Sequence, residues 1–383
     1  MEYIFLLGAA QGLLLTFFLL SKKENLLPNR LFALTIFVYS IDILFAFITV
    51  KKLYLVYPQL IGLSGPPPFI YSPAIYLYTV YVSRNYKKFR KNDYFHFLPV
   101  SIMIILGINF ILFGNTASKL ELMNPDVPKG MAIVFMRTII PFYGITYTIF
   151  SIREVLKYHL RLKESFSDIE KLKLDWLFYL LIGIITVWSL ELIQIILIEV
   201  LNKKEDIFYN YIYLFISIFM YFVAFKSLKQ PEIFLQHEDD EKEESKNLSA
   251  GMEEEKSSGY KKSGLSDEKA KLILDELLDV METKKPFTTP NLNLNELSAL
   301  LNITPHNLSE VINTRLNQTF YDFISYYRIE EVKRLMLEDK ADAYSILSIA
   351  YDAGFNSKST FNNIFKKLTG MTPSEYRKSL SKE

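Results

Sequence analysis

Apolar residues gather in seven long runs over the first 225 positions of the chain: Tyr3 to Leu20, Leu31 to Val50, Pro68 to Val82, Phe95 to Phe113, Met131 to Ile152, Leu177 to Val200 and Tyr209 to Phe225. A helix crosses a bilayer with about 20 such residues, so the pattern predicts a seven-span bundle over residues 1–230. The third run is Tyr-rich and broken by Pro73, while Pro99 and Pro141 are expected inside spans as kinks that bilayer helices tolerate. The first run lacks a basic leading segment and a small-residue cleavage site and is stopped by Lys22-Lys23, which predicts a retained helix and no signal peptide. Past Phe225 the pattern collapses. Gln236 to Gly264 carries Leu248 as its one branched aliphatic side chain beside the acids Glu238 to Glu244 and Glu253 to Glu255, a composition that predicts a disordered linker over 231–264. Helical periodicity then returns. Ser266 can cap a connecting helix within 265–286, with Leu274, Leu277, Leu278 and Met281 on one stripe, packed either on the next helical unit of the chain or on its copy in a second subunit.

The last third, 287–383, holds one design twice, at about 293–317 and 345–369. In the second copy Ser345 caps a short helix whose Ile346, Ile349 and Ala350 face inward, and Ala350 is small enough for another helix to cross closely. Gly354 supplies a positive-φ turn, Phe355 plugs the corner and Ser357 caps the next helix, expected from Lys358 to Leu368. Phe361, Ile364, Phe365 and Leu368 share its inner face. Ser359, Asn362, Asn363 and Lys366 share the other, and such groups hydrogen-bond base edges and phosphates when a helix lies in the major groove. Thr372, Pro373 and Glu375 then open a further helix as a capping box. Upstream, aligning Ser298 with Ala350 puts Asn302 at the turn, Thr304 at the cap, Leu308, Val311 and Ile312 inside, and His306, Ser309, Glu310 and Asn313 outside. Phe320 to Leu337 predicts a joining helix. At 1.5 Å per residue it is about 27 Å long, so two recognition helices can enter successive major-groove faces about 34 Å apart.

The pattern Ile349-Ala350, Gly354-Phe355, Phe361, Phe365, Gly370, Thr372-Pro373, Tyr376-Arg377 resembles the DNA-binding domain of the AraC/XylS family of bacterial transcription regulators, over Asn293 to Arg377. The resemblance implies that the recognition-helix faces contact bases: His306, Ser309, Glu310 and Asn313 in the first unit, Lys358, Ser359, Asn362, Asn363 and Lys366 in the second. Asn302 and Ser298 stand where the family commonly has Gly and Ala; Asn tolerates a left-handed turn and Ser is nearly as small. Glu310 departs further, because a carboxylate repels phosphate and reads only a cytosine amino group directly. Ordinary solvated helix faces would look similar singly, but the duplication argues for recognition. From Phe287 onward eleven Lys or Arg meet eleven Asp or Glu, so the domain as a whole is not basic. The basic excess is local to the residues after Gly354, which makes the second unit the main electrostatic contact.

Composition completes the picture. The 383 residues are half apolar with a net charge of +1 and a mean hydropathy of +0.15, which suits a membrane protein. Without cysteine there is no disulfide, thiolate metal site or cysteine nucleophile, and His96, His159, His237 and His306 form no ligand cluster. Neither a Gly-rich phosphate loop nor a Ser/His/Asp set occurs, so no enzyme, cofactor or metal is expected. Loops after the odd spans hold fourteen Lys or Arg and those after the even spans six, placing the chain in the cytoplasmic (inner) membrane with its N-terminus outside and its C-terminus in the cytoplasm.

Asp42, Arg137 and Glu191 lie inside spans at similar depth, about 9 to 13 Å from the outer ends at 1.5 Å per residue. Charges are costly there, so the three, with Gln11 and Gln194, are either a structural ion-pair network or an intramembrane sensing site. Gly8-x-x-x-Gly12 suits a close helix contact within the bundle or between subunits. The expected molecule is all-α, a seven-helix transmembrane sensor followed by a cytoplasmic double helix-turn-helix domain. Its expected partners are double-stranded DNA, the lipid bilayer, a small-molecule or membrane signal and, as a homodimer, a second copy of the chain. A flexible linker carries no torque, so pairing of subunits is the expected output. A transporter-like or partner-binding membrane protein whose C-terminal module does not read DNA remains the alternative.

Overall fold

A computed structural model of the chain describes residues 2–23, 25–63, 65–124, 127, 130–199, 211–216, 218–219, 222, 265–338 and 344–380. The linker expected over 231–264 lies outside them. Among the described residues the structure is helical apart from turns and one isolated antiparallel bridge between Phe166 and Asn293. Two compact units emerge, one from the residues up to 157 and from 174 to 222, the other from 158–173 and 265–380. The segment 158–173, which the span pattern placed in a loop of the membrane portion, thus groups with the C-terminal unit.

The first unit contains α1 (Glu2–Ser21), α2 (Leu26–Val50), α3 (Pro68–Arg84), α4 (Leu98–Phe113), α5 (Thr116–Met123), the long α6 (Met131–Ser165) up to residue 157, and α7 (Asp175–Glu199). Among the described residues five helices are long and apolar enough to cross a membrane: Tyr3–Ser21, Leu26–Val50, Lys91–Phe110, Ile133–Ser165 and Asp175–Ile198. The run expected as a third span forms α3, which is 17 residues long and buries Phe69, Tyr71, Ala74, Ile75, Leu77, Tyr78, Val80 and Tyr81, so it serves as an inner helix of the unit. Of the run expected as a seventh, only 211–216, 218–219 and 222 are described. Leu14, Phe17, Ile105 and Phe113 turn outward with 69–79 % of their surface exposed, and exposed apolar area on this scale marks an interaction or membrane surface.

Inside the unit, Tyr39 stacks on Tyr71 at 3.9 Å and Tyr71 on Trp188 at 6.1 Å. Gly144 is what lets α6 approach Trp188: a Cβ there would lie 2.1 Å from the indole. Gly8, Ala9 and Gly12 are all buried within this single chain, so the small-residue stripe of α1 is used inside the bundle. Two local expectations are corrected, and one helix is added. Pro99 sits in the first turn of α4, where its missing N–H is lost to no helical bond, and so makes no kink. The predicted span ending at Ile152 continues as helix to Ser165, because Arg153 to Ser165 keeps helical periodicity with Val155, Tyr158 and Leu162 buried. Finally α5, capped by Asn115 through the Ser118 amide, fills a stretch that carries no apolar run.

The second unit contains α8 (Asp267–Thr283), α9 (Leu294–Leu300), α10 (Pro305–Arg315), α11 (Phe320–Met336), α12 (Ile346–Asp352), α13 (Lys358–Thr369) and α14 (Pro373–Leu380). Ser266 caps α8 by accepting from the Lys269 amide, and the stripe of α8 packs on the first helix-turn-helix: Leu277, Val280 and Met281 join Leu297, Leu308, Ile312, Phe320, Phe323 and Ile324 in one core. A second core gathers Ile329, Val332 and Met336 with Ile349, Ala350, Ala353, Phe355, Phe361, Ile364 and Phe365. The joining helix α11 therefore gives its first half to one core and its second half to the other. With each buried Leu, Ile or Phe worth about 1.5–3 kcal/mol over exposure, the two helix-turn-helix units are held by hydrophobic burial on a shared rod.

Candidate nucleic-acid interface

The second helix of each helix-turn-helix unit is set by the devices its sequence predicts. In the first unit Asn302 takes the left-handed turn at φ 52°, and the Thr304 hydroxyl accepts from the Asn307 amide at 3.2 Å with Pro305 following at the start of α10. In the second, Gly354 takes φ 95° and the Ser357 hydroxyl accepts from the Thr360 amide at 3.1 Å to start α13. Gly370 ends α13 in the left-handed conformation, and Thr372 with Glu375 forms the reciprocal capping box of α14.

On α10, Leu308, Val311 and Ile312 are buried, His306 is exposed, and Ser309, Glu310 and Asn313 are half-buried. On α13, Phe361, Ile364 and Phe365 are buried, Lys358, Ser359, Asn363 and Lys366 are exposed, and Asn362 is half-buried. Leu368 does not share the inner face as expected. It is 45 % exposed, because it lies in the last turn of α13 while Tyr376 and Leu380 close that end of the core. The outward set on α13 offers two amides, a hydroxyl and two cations with no carboxylate, which suits phosphate and base-edge contact. On α10 Glu310 remains the exception to that chemistry.

Three features of the site lie beyond the sequence argument. Arg328 on α11, 1 % exposed, donates to the carbonyls of Phe287 at 2.7 Å and Thr289 at 3.0 Å and to the Ser167 hydroxyl at 3.2 Å, with its guanidinium 5.8 Å from the Phe355 ring. Burial pushes its pKa down to about 10, with the nearby charge of Asp168 opposing the shift. Glu170 accepts hydrogen bonds from the hydroxyls of Ser357, Ser359 and Thr360 at the start of α13. Those three bonds hold its carboxyl at about 2, well below the usual carboxylate range. Asn356, next to the turn, donates to Asp168 at 2.9 Å, and Asn313 on α10 donates to Glu164 at 3.0 Å. The visible signal for these acids was the run Glu164, Asp168, Glu170 inside a loop otherwise read for its Lys and Arg. Arg328 gave none, since an arginine in a helical pattern reads as a surface charge.

In the first unit, Asp42 on α2 is buried and lies within electrostatic reach of Glu191 on α7 and of Tyr39 and Tyr71, while Arg137 on α6 and Glu191 are half-buried. The side-chain oxygens of Gln11 and Gln194 are buried without a hydrogen-bond partner. No group of His, Asp or Glu among the described residues has the arrangement of a metal site.

A family model described as a helix-turn-helix domain matches residues 297–379. The C-terminal region is similar to an HTH-type transcriptional regulator from the cgkA 5′ region of Pseudoalteromonas carrageenovora, 26 % identical over 91 residues, which are 24 % of this chain and 52 % of that protein. It is similar also to the HTH-type transcriptional regulator GlxA of Rhizobium meliloti, 28 % identical over 102 residues, 27 % of this chain and 31 % of the relative. The melibiose operon regulatory protein of Escherichia coli K12 is 33 % identical over 88 residues, 23 % of this chain and 28 % of its own length. The matched part thus spans about half or less of each of these relatives. No solved structure matches the chain.

Proposed function

We propose that this protein is a one-component transcription regulator of the AraC type, held in the cytoplasmic membrane by its N-terminal helices and reading double-stranded DNA through the two helix-turn-helix units. The observation that carries this reading is the outward face of α13, where Ser359, Asn362, Asn363 and Lys366 stand on a helix capped and cored as a reading helix should be. Similarity of 297–379 to helix-turn-helix regulators supports it, and the five apolar helices support the membrane anchor. Asn362→Ala or Asn363→Ala is expected to weaken the specific site by about 1–3 kcal/mol and leave random DNA nearly unchanged, measured by fluorescence anisotropy. Lys366→Ala should instead weaken every sequence and lower the salt slope by about one unit. Equal losses on specific and random DNA for both kinds of change would count against direct readout.

The orientation has its own test. A periplasmic reporter enzyme fused after Asn124 should be active, and one fused after Lys173 inactive; the reverse pattern would place the reading units on the wrong side of the membrane for DNA. For the input we infer that Asp42, Arg137 and Glu191 form the intramembrane sensing site. Asp42 lies within electrostatic reach of Glu191, and a proton or a cationic group between two such carboxylates would change the charge balance. Asp42→Asn and Glu191→Gln at normal membrane levels should alter the response of a promoter reporter, whereas wild-type responses from both would make the cluster structural only. Pairing of two chains is the proposed route by which two reading domains meet on DNA.

A further inference from the structure

Glu164, Asp168 and Glu170 all engage polar side chains of the helix-turn-helix units, and all lie in the segment 158–173, the last turns of α6 and its connection to α7, two of the apolar helices. The segment is firmly placed. Leu162, Ser167 and Ile169 are buried, Phe166 bridges Asn293, the Ser167 amide donates to the Leu292 carbonyl at 3.1 Å, and Arg328 holds the Ser167 hydroxyl. This anchoring delivers the Glu170 carboxylate to the three hydroxyls at the N-terminus of α13, where Ser359 donates to it at 2.6 Å. A helix N-terminus with converging hydroxyls is where a DNA phosphate would be received, and the first residues of a recognition helix are those that approach base edges. Asn313, one of the residues proposed to read DNA, is engaged in the same way by Glu164.

We propose that the segment 158–173 is an intramolecular competitor of DNA, a strap whose Glu170 occupies the phosphate position at the start of the second recognition helix and whose Glu164 engages the first. Resting on the DNA-reading assignment, it supplies the regulation of that site: the chain reads DNA when the strap leaves. Movement of α6 against α7 has a direct way to release it, since the strap is the connection between them and the route does not pass through the linker over 231–264. Because Glu170 has a lowered pKa, the contact is present at all pH values above the ordinary carboxylate range and is lost only as the pH falls toward about 2.

Two variants of the full chain in detergent test this, with a labelled mixed-sequence duplex of three helical turns as probe. Glu170→Ala removes the phosphate mimic without touching a residue proposed to contact DNA; if the strap is closed in about nine molecules of ten, affinity should rise about tenfold. Phe166→Cys with Asn293→Cys locks the strap. The wild type has no cysteine, and an antiparallel pair brings its Cα atoms to about 4.5–5.5 Å, within disulfide range. Oxidation should suppress DNA binding and reduction restore it. Binding that is unchanged by Glu170→Ala and by oxidation of the locked pair overturns the strap and leaves the DNA-reading assignment intact. Absence of binding in the wild type, in Glu170→Ala and in the reduced pair alike overturns the DNA-reading assignment, and the strap with it.

Discussion

Gly354→Val is expected to destabilise the second helix-turn-helix by at least about 3 kcal/mol, toward the severe end of single substitutions. Two independent penalties meet at this position. A branched residue at φ 95° carries backbone strain of about 1–3 kcal/mol before any contact is considered. The space is also missing: the first added carbon would lie 2.4 Å from the Phe287 carbonyl oxygen, 2.9 Å from that of Thr288 and 3.0 Å from Nε of Arg328. Relief cannot come from a flexible side chain, since two of the three atoms are backbone and the Phe287 carbonyl is the acceptor of the 2.7 Å bond from Arg328. Hydrogen exchange of the detergent-solubilised chain should show lost protection in α12 and α13 and retained protection in α10. Gly370→Ala makes the control, because that glycine also has a positive φ, 77°, with open space around it, so only strain is added.

Arg328→Met is expected to cost about 1–3 kcal/mol through the buried carbonyl of Phe287 that it would leave without a donor, with a smaller further loss at the carbonyl of the exposed Thr289. Arg328→Lys should recover only part of this. A lysine ammonium cannot present the planar fork that reaches these acceptors together, and the burial that pushes the arginine down to about 10 acts on an ammonium as well. Since Arg328 also holds Ser167, both variants should loosen the segment 158–173 and raise its protease sensitivity. Limited proteolysis of the intact chain checks this, and cleavage at the wild-type rate would refute the anchoring role.

Much of the C-terminal helix-turn-helix unit was legible because each local device is short-range. Ser345, Thr304 and Ser357 as caps, Asn302 and Gly354 as turns and the Thr372-Glu375 box depend on neighbours within five residues, and the structure has them as the pattern predicts. Inward positions followed from periodicity until the helix ran out of core, which is where Leu368 departs. The long apolar helices of the first unit were legible as apolar runs. Their packing was not: the tyrosines of α3 mark an inner helix because they stack on Tyr39, Phe32 and Trp188, partners distant in sequence. Arg328 and Glu170 were invisible for the same reason. Their hydrogen-bond partners are 39 to 190 positions away, and no local pattern shows that a buried arginine on the joining helix holds the segment 158–173.

The most direct test of the account is a genome-wide map of DNA crosslinked to the intact protein in its own cells, beside Asn362→Ala/Asn363→Ala at equal membrane level. A membrane-held reader predicts discrete sites sharing one sequence pattern for the wild type and their loss in the variant. Sites kept unchanged by the variant, or no enrichment for either protein, would contradict it.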